Sequence, residues 1–255
     1  MARVAAFFDL DKTVLATSAS LALTKPLVDS GMLSRLDVLR GIQVQLAYHL
    51  LDASHERSER VKDSLSQMVA GWDVAQFDQV VRDALATAIE PIVFHEALDA
   101  ISAHHAAGHD VIISSASAEA VVRPIAHLLG ADGIIATVLE ERAGRYTGAI
   151  AHYNYGPAKA EAARDLAARH GWDLAASWAY SDSITDEPLL RVVGHPVAVN
   201  PDKPLARIAA EEAWQIAAFQ RPVQLRRRVQ VPAGVAAGIG VLAVAALWVW
   251  RRRGL

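Results

Sequence analysis

Asp9 and Asp11 stand two residues apart where the apolar run Val4 to Phe8 gives way to Asp9-Leu10-Asp11-Lys12-Thr13. Such a run reads as a buried strand. Side chains on a strand alternate with period 2, so the two carboxylates are expected on one side. At the carboxyl edge of an open α/β sheet, that side faces the crevice where ligands bind. Like charges this close are costly unless a cation lies between them, and hard oxygen ligands suit Mg²⁺. An aspartate there can also act as a nucleophile and carry a phosphoryl group.

The elements around this pair follow from apolar spacing and breakers. Leu21, Leu23, Leu27 and Val28 recur at helical spacing until Gly31. Residues 36–51, 56–69 and 74–89 read as three more helices, the last ending before Pro91. This predicts an all-helical insert over residues 16–90. From Phe94 the pattern alternates: helix 95–107, strand 111–113 running into Ser114-Ser115-Ala116-Ser117, helix 119–129 and strand 134–138. A hairpin is expected at Arg145-Tyr146-Thr147-Gly148, then helix 159–170, strand 178–180 and strand 197–199. The alternation predicts a mostly parallel, Rossmann-like sheet with helices on both faces, formed by residues 1–15 and 91–220. His104, His105 and His109 lie close, but Gly108 separates them and no carboxylate completes a metal triad, so a solvated helix end is expected.

The chain has 255 residues and is 53% hydrophobic, and the apolar excess has a location. Val229 to Trp250 is a stretch of 22 positions without a charge. As a helix it would reach ~33 Å, about the thickness of a bilayer core. Arg226, Arg227 and Arg228 precede it, Arg251, Arg252 and Arg253 follow it, and Trp248 and Trp250 suit an interfacial belt. The expectation is a basic linker at 221–228 and a membrane-spanning helix at 229–250. The seven Arg of residues 221–255, with no acid among them, leave the other 220 residues at a formal −10. An acidic body argues against nucleic acid as a partner. Basic clusters beside an apolar run fit anionic headgroups. Met1-Ala2-Arg3 leads straight into the first strand with no signal peptide pattern. The expected topology is a single-pass C-terminal anchor with the catalytic domain in the cytoplasm. With no Cys there is neither a disulfide framework nor a thiolate site.

The order D-x-D-x-T after an N-terminal strand resembles motif I of the haloacid dehalogenase superfamily. VIISSAS resembles motif II, GPAKAEAARDLA motif III, and YSDSITDEPLL motif IV. YTG and VNPDKPL look like subfamily IB, which includes phosphoserine phosphatases. The resemblance covers residues 3 to about 205 and implies a phosphomonoester hydrolase with a C1-type helical cap. It implies Asp9 as nucleophile and Asp11 as general acid and base. Thr13, Ser114, Ser115 and Lys159 would hold the phosphate, and Lys159 would also offset charge. Mg²⁺ would sit on motif I (Asp9, and Asp11 through the backbone) and Asp182, with Asp186 supporting that shell or orienting Lys159. Ser181 stands where the motif usually has Gly, and Ser115-Ala116 where glycines are usual. The Asp11-Lys12-Thr13 triplet also matches P-type ion pumps. Those continue Gly-Thr and need many spans, whereas Val14-Leu15 follows here and the chain offers one.

Phosphoserine phosphatases place a Glu nine residues after the nucleophile, to meet the substrate amine. Here that position is Ser18, and no acid occurs between Asp11 and Asp29. Arg57 and Arg60 are candidates for meeting an anionic headgroup. A tether raises local concentration at a bilayer. The expected substrate is therefore a lipid phosphate monoester. Phosphoserine or another soluble metabolite is the alternative, and a non-catalytic tethered scaffold is the reading of another class.

Overall fold

The computed structural model describes residues 3–34 and 68–222. Residues 35–67 of the insert, with Arg57 and Arg60, and the expected linker from 223 and span at 229–250 lie outside the described residues. Among the described residues no helix is long and apolar enough to cross a membrane.

The described strands form one seven-stranded sheet in the order β4-β3-β2-β1-β5-β6-β7. β1 (Ala5–Asp9) is its centre, flanked in parallel by β2 (Asp110–Ala118) and β5 (Trp178–Ser181). β3 (Gly133–Arg142), β6 (His195–Val199) and β7 (Gln215–Ala217) continue the parallel sheet, and β4 (Arg145–His152) closes one edge antiparallel to β3. β1 is buried on both faces, as its unbroken apolar run requires. Ala6 and Phe8 join one apolar cluster, Ala5 and Phe7 the other. Leu23 and Leu27 of α1 (Ala19–Asp29) and Phe77 and Val81 of α2 (Val74–Ala84) join the Phe8 side. So do Ala97 and Ile101 of α3 (His95–Ala106) and Val122 and Ile125 of α4 (Glu119–Leu128). The Phe7 side takes α5 (Pro157–His170), α6 (Glu187–Leu190) and α7 (Lys203–Glu211). The parallel α/β expectation holds.

Several details differ from the sequence reading. β1 stops at Asp9, so Asp11 lies in the turn beyond it rather than on the pleat. β2 runs on through the serines to Ala118, with an irregular register against β3 between Ser114 and Ala118. A bulge of this kind bends the strand locally and re-aims its side chains. The hairpin turns at Ala143-Gly144, with φ of 52° and 74°, so residues 145–148 belong to β4. Two positive φ values suit a two-residue connection. The helix expected to run to residue 89 widens into a π-helical turn at Leu85–Ile89 and tightens at Glu90–Ile92, where Pro91 cannot continue an α-helix. α7 and β7 had no sequence expectation.

The expected solvated histidine cluster is only half so. His105 is exposed and meets Asp132. His104 is buried, its two ring nitrogens 2.9 Å from the Tyr180 hydroxyl and from His109 Nδ1. Phe8 and Trp178 pack against its ring, and burial pulls its pKa down to about 4. A helix end lying against an aromatic sheet face is dry on one side.

The two chain crossings between sheet and insert pair with each other. Ala16 N donates to Ile92 O at 2.7 Å, and Phe94 N to Val14 O at 2.9 Å. The chain then returns over this hinge. Asn200 clasps the Phe219 backbone with both ends of its amide, and Phe219 meets the Phe94 ring edge-on. His95 N donates to Arg221 O, and Glu96 accepts from the N–H groups of Gln220 and Arg221 and from the Arg221 guanidinium. Arg221 and Pro222, assigned by sequence to the linker, thus belong to the folded hinge strap.

Two outcomes test these features. Partial burial works against the Glu96 charge, but its hydrogen bonds, including those from Arg221 and Gln220, outweigh it and lower the pKa from 4.5 to about 2. The strap's contribution is therefore complete above pH 4.5 and is lost as pH falls through about 2. Glu96→Gln should melt a few degrees below the wild type at pH 7, with the gap narrowing as pH falls from 4.5 toward 2. At Gly194 an added Cβ would lie 1.7 Å from Ala175 O. Gly194→Ala should cost about 3 kcal/mol or more in urea unfolding, because the obstacle is backbone.

Candidate active site

Register does the first part of the assembly. Asp9 pairs with Ser114 across β1 and β2, and Phe8 pairs with Tyr180 of β5. The carboxyl ends of these three parallel strands therefore bring Asp9, Ser114 and the Ser181-Asp182 step to one edge. The α5 helix supplies the cation. Gly156 precedes it at φ 57°, and Pro157 takes the first turn, where its missing N–H is no loss. Lys159 lies in that first turn and is only 3% exposed. Its Nζ donates to Asp9 Oδ1 at 2.6 Å and to Asp186 Oδ2 at 2.8 Å. A cation is disfavoured at a helix N-terminus and in a dry interior. Burial does lower the Lys159 pKa, but Asp186 and Asp9 outweigh it and hold the ammonium charged above its usual range. Ser181 donates to the same Asp186 oxygen at 2.7 Å.

One ammonium shared by two buried acids leaves Asp9 undercompensated. Burial, then Asp186 and Asp11, push its carboxyl above the usual range, with Lys159 pulling the other way. Burial also pushes Asp182 up to about 6; Lys12 and a hydrogen bond from Thr13 oppose this, and Asp186 adds to it. Ser114 Oγ is buried and has no hydrogen-bond partner. Undercompensated acids beside an orphaned hydroxyl suit a divalent cation and a phosphoryl group. Among the described residues no three His, Asp or Glu side chains form a metal cage. Mg²⁺ needs fewer, since it takes one or two carboxylates and completes its shell with phosphate and water.

The remaining expected residues fall as follows. Asp11 Oδ1 accepts from Ala19 N at 2.6 Å, and its Oδ2 accepts from Ser117 Oγ at 2.9 Å. The Asp11 side chain is thus engaged at both oxygens. Thr13 is fully buried and donates to Asp182 Oδ1 at 3.3 Å, so it braces an acid. Ser115 Oγ accepts from Ser117 N at 3.1 Å. Ser18 caps α1, accepting from Leu21 N. The sequence reading missed Ser117, Asn154 and Asp202. Ser117 was in view within the SSAS run, but nothing local marks it as facing Asp11. Asn154 and Asp202 are loop residues whose partners lie on other elements. Asp202 accepts from Ile184 N, and its own N–H donates to Asp182 O.

Lys159→Met would leave two buried acids facing each other. It should cost about 3–5 kcal/mol in chemical denaturation without divalent metal, and Asp186→Asn should cost less, since Lys159 keeps Asp9.

The sequence profile of the haloacid dehalogenase-like hydrolases matches residues 6–191. The probable phosphatase Rv3661 of Mycobacterium tuberculosis is 46% identical over 249 residues, covering 96% of this chain and 87% of that protein. The phosphoserine phosphatase SerB1 of the same organism is 32% identical, over 95% of this chain and 79% of its own length. A crystal structure of a protein of unknown function from Bordetella pertussis Tohama I superposes with a TM-score of 0.75 at 28% identity, covering 85% of this chain and 99% of that one. On these grounds the chain belongs to the haloacid dehalogenase-like hydrolase family.

Proposed function

We propose that the protein is a Mg²⁺-dependent phosphomonoester hydrolase working through an aspartyl-phosphate. The observation that carries this is the buried Lys159 ammonium on Asp9, at a strand end beside the orphaned Ser114 hydroxyl. Asp9 attacks phosphorus in line. Its new O–P bond forms as the ester P–O bond breaks, and the leaving oxygen takes a proton from Asp11. Asp11 then takes a proton from water, which attacks the aspartyl-phosphate and frees Asp9 and inorganic phosphate. Lys159 and Ser114 hold the equatorial oxygens. Bound at Asp9, Asp182 and the motif I backbone, Mg²⁺ would neutralise developing phosphoryl charge.

The substrate reading is a lipid phosphate monoester, with the enzyme held by residues 229–250 and its catalytic domain in the cytoplasm. Its support is the uncharged 22-residue run between arginine triplets, together with the chemistry of Ser18. That side chain is neutral and engaged in capping α1, so it offers an ammonium group no charge of its own. The helical insert over 16–90 serves in this reading as a cap that gates the site. The likeness to SerB1 favours a second reading, a phosphatase of phosphoserine or a similar soluble metabolite. A non-catalytic scaffold is disfavoured, because Asp9, Lys159 and Asp186 are assembled with hydrogen-bond geometry.

The test is phosphate release by the full chain in detergent micelles with Mg²⁺. Lysophosphatidate and phosphatidylglycerophosphate should be turned over at least tenfold faster than phosphoserine. Asp9→Asn or EDTA should abolish release, and Mg²⁺ should restore the EDTA-treated enzyme. Faster turnover of phosphoserine would replace the lipid reading with the second one.

A further inference from the structure

We propose that Ser117 is the positioning residue of Asp11, orienting its carboxyl to deliver a proton to the leaving oxygen. The proposal rests on the reading of Asp11 as general acid. Ser117 Oγ donates to Asp11 Oδ2 at 2.9 Å, while Ala19 N–H takes Oδ1. Two donors on different oxygens, from different elements, leave a carboxyl little freedom about its last two bonds. They are not equivalent. Ala19 opens α1 of the helical insert, whereas Ser117 belongs to β2, which pairs with the strand carrying Asp9. The Ser117 bond therefore holds Asp11 in the frame of the nucleophile.

The segment that presents Ser117 is itself pinned. Asn154, fully buried, donates from Nδ2 to Ser115 O at 2.9 Å and to Ile135 O at 3.0 Å. Thr137 Oγ1 donates to Ala116 O at 2.7 Å and accepts from Asn154 N at 3.2 Å. Ser115 Oγ then takes the N–H of Ser117 itself. The two carbonyls before Ser117 and its own N–H are thus all held, across the very stretch where the β2–β3 register shifts. The bulge moves Ser117 out of an ordinary strand position, and the Asn154–Thr137 bracket keeps it there.

The chemistry makes a specific demand. As the P–O bond breaks, its electron pair goes to the leaving oxygen, which takes the Asp11 proton and leaves a carboxylate that the Ser117 hydroxyl donates to. An alkoxide cannot leave without that proton, and a nitrophenolate can. The experiment measures kcat/KM for glycerol phosphate and para-nitrophenyl phosphate, because this ratio reports leaving-group departure and not hydrolysis of the intermediate. Wild type, Ser117→Ala, Ser117→Cys, Ser117→Thr and Asp11→Asn are compared as full chains in micelles with Mg²⁺, with melting temperatures alongside. Ser117→Ala and the near-isosteric Ser117→Cys, a poor donor, should lose about tenfold on the alkyl ester and less than about twofold on the aryl ester. Ser117→Thr should recover most of the alkyl activity, and Asp11→Asn should show the same asymmetry, larger. Equal losses on both esters, or no loss, with Asp11→Asn still asymmetric, would overturn the role of Ser117 alone. A symmetric Asp11→Asn would overturn the reading of Asp11, and the proposal with it.

Discussion

A buried ammonium between two buried carboxylates is the constraint on which the site depends. Lys159 reaches Asp9 and Asp186 from the first turn of α5, where both the helix dipole and the dry surroundings oppose its charge. Moving such groups out of water costs several kcal/mol each, and only close pairing with further hydrogen bonds offsets it. The structure supplies these through Ser181 on Asp186. The pairing requires the ends of β1 and β5 and the start of α5 to converge within hydrogen-bond distance. The parallel register of the central strands meets that requirement, and the turn at Gly156-Pro157 aims the helix.

The same convergence leaves negative charge in excess. Two acids share one lysine, and Asp182 sits nearby with Thr13 as its hydrogen-bond donor. Stability alone would favour a neutral, well-packed site. The residual imbalance makes chemical sense if a cation and a phosphoryl group complete it, since each supplies what the other lacks. The orphaned Ser114 hydroxyl belongs to the same incompleteness.

Around this centre, the junction between sheet and insert is more than two linkers. The crossings at Val14–Ala16 and Ile92–Phe94 pair with each other, and the strap Phe219–Pro222 pairs with the second crossing. Asn200 and Asp202 then join the strap and the Asp182 loop to one short turn. Hinge, strap and acid loop thus share a hydrogen-bonded framework. The arginine-bearing segment 223–228 follows it in sequence, ahead of the apolar run, while Asp11 touches the insert through Ala19.

Local chemistry made much of this legible. Strand ends carrying acids and alternating apolar runs are short-range signals, and they were enough for the parallel sheet; Lys159, Asp182 and Asp186 stood out only through the resemblance of their segments to the family's motifs. The strand signals read well because β1 is buried on both faces and cannot vary its pattern. The sequence by itself determined which acids and which lysine were available, and the order of the strands and helices that carry them. Tertiary structure alone decided their partners. His104 is buried because an aromatic sheet face covers it, and Thr13 serves Asp182 because β1 and β5 are neighbours. Ser117 meets Asp11 because β2 bulges, and Arg221 joins the fold because β7 returns the chain to the hinge. Hydrogen-bond partners more than a hundred residues apart are set by packing, and no local periodicity encodes them.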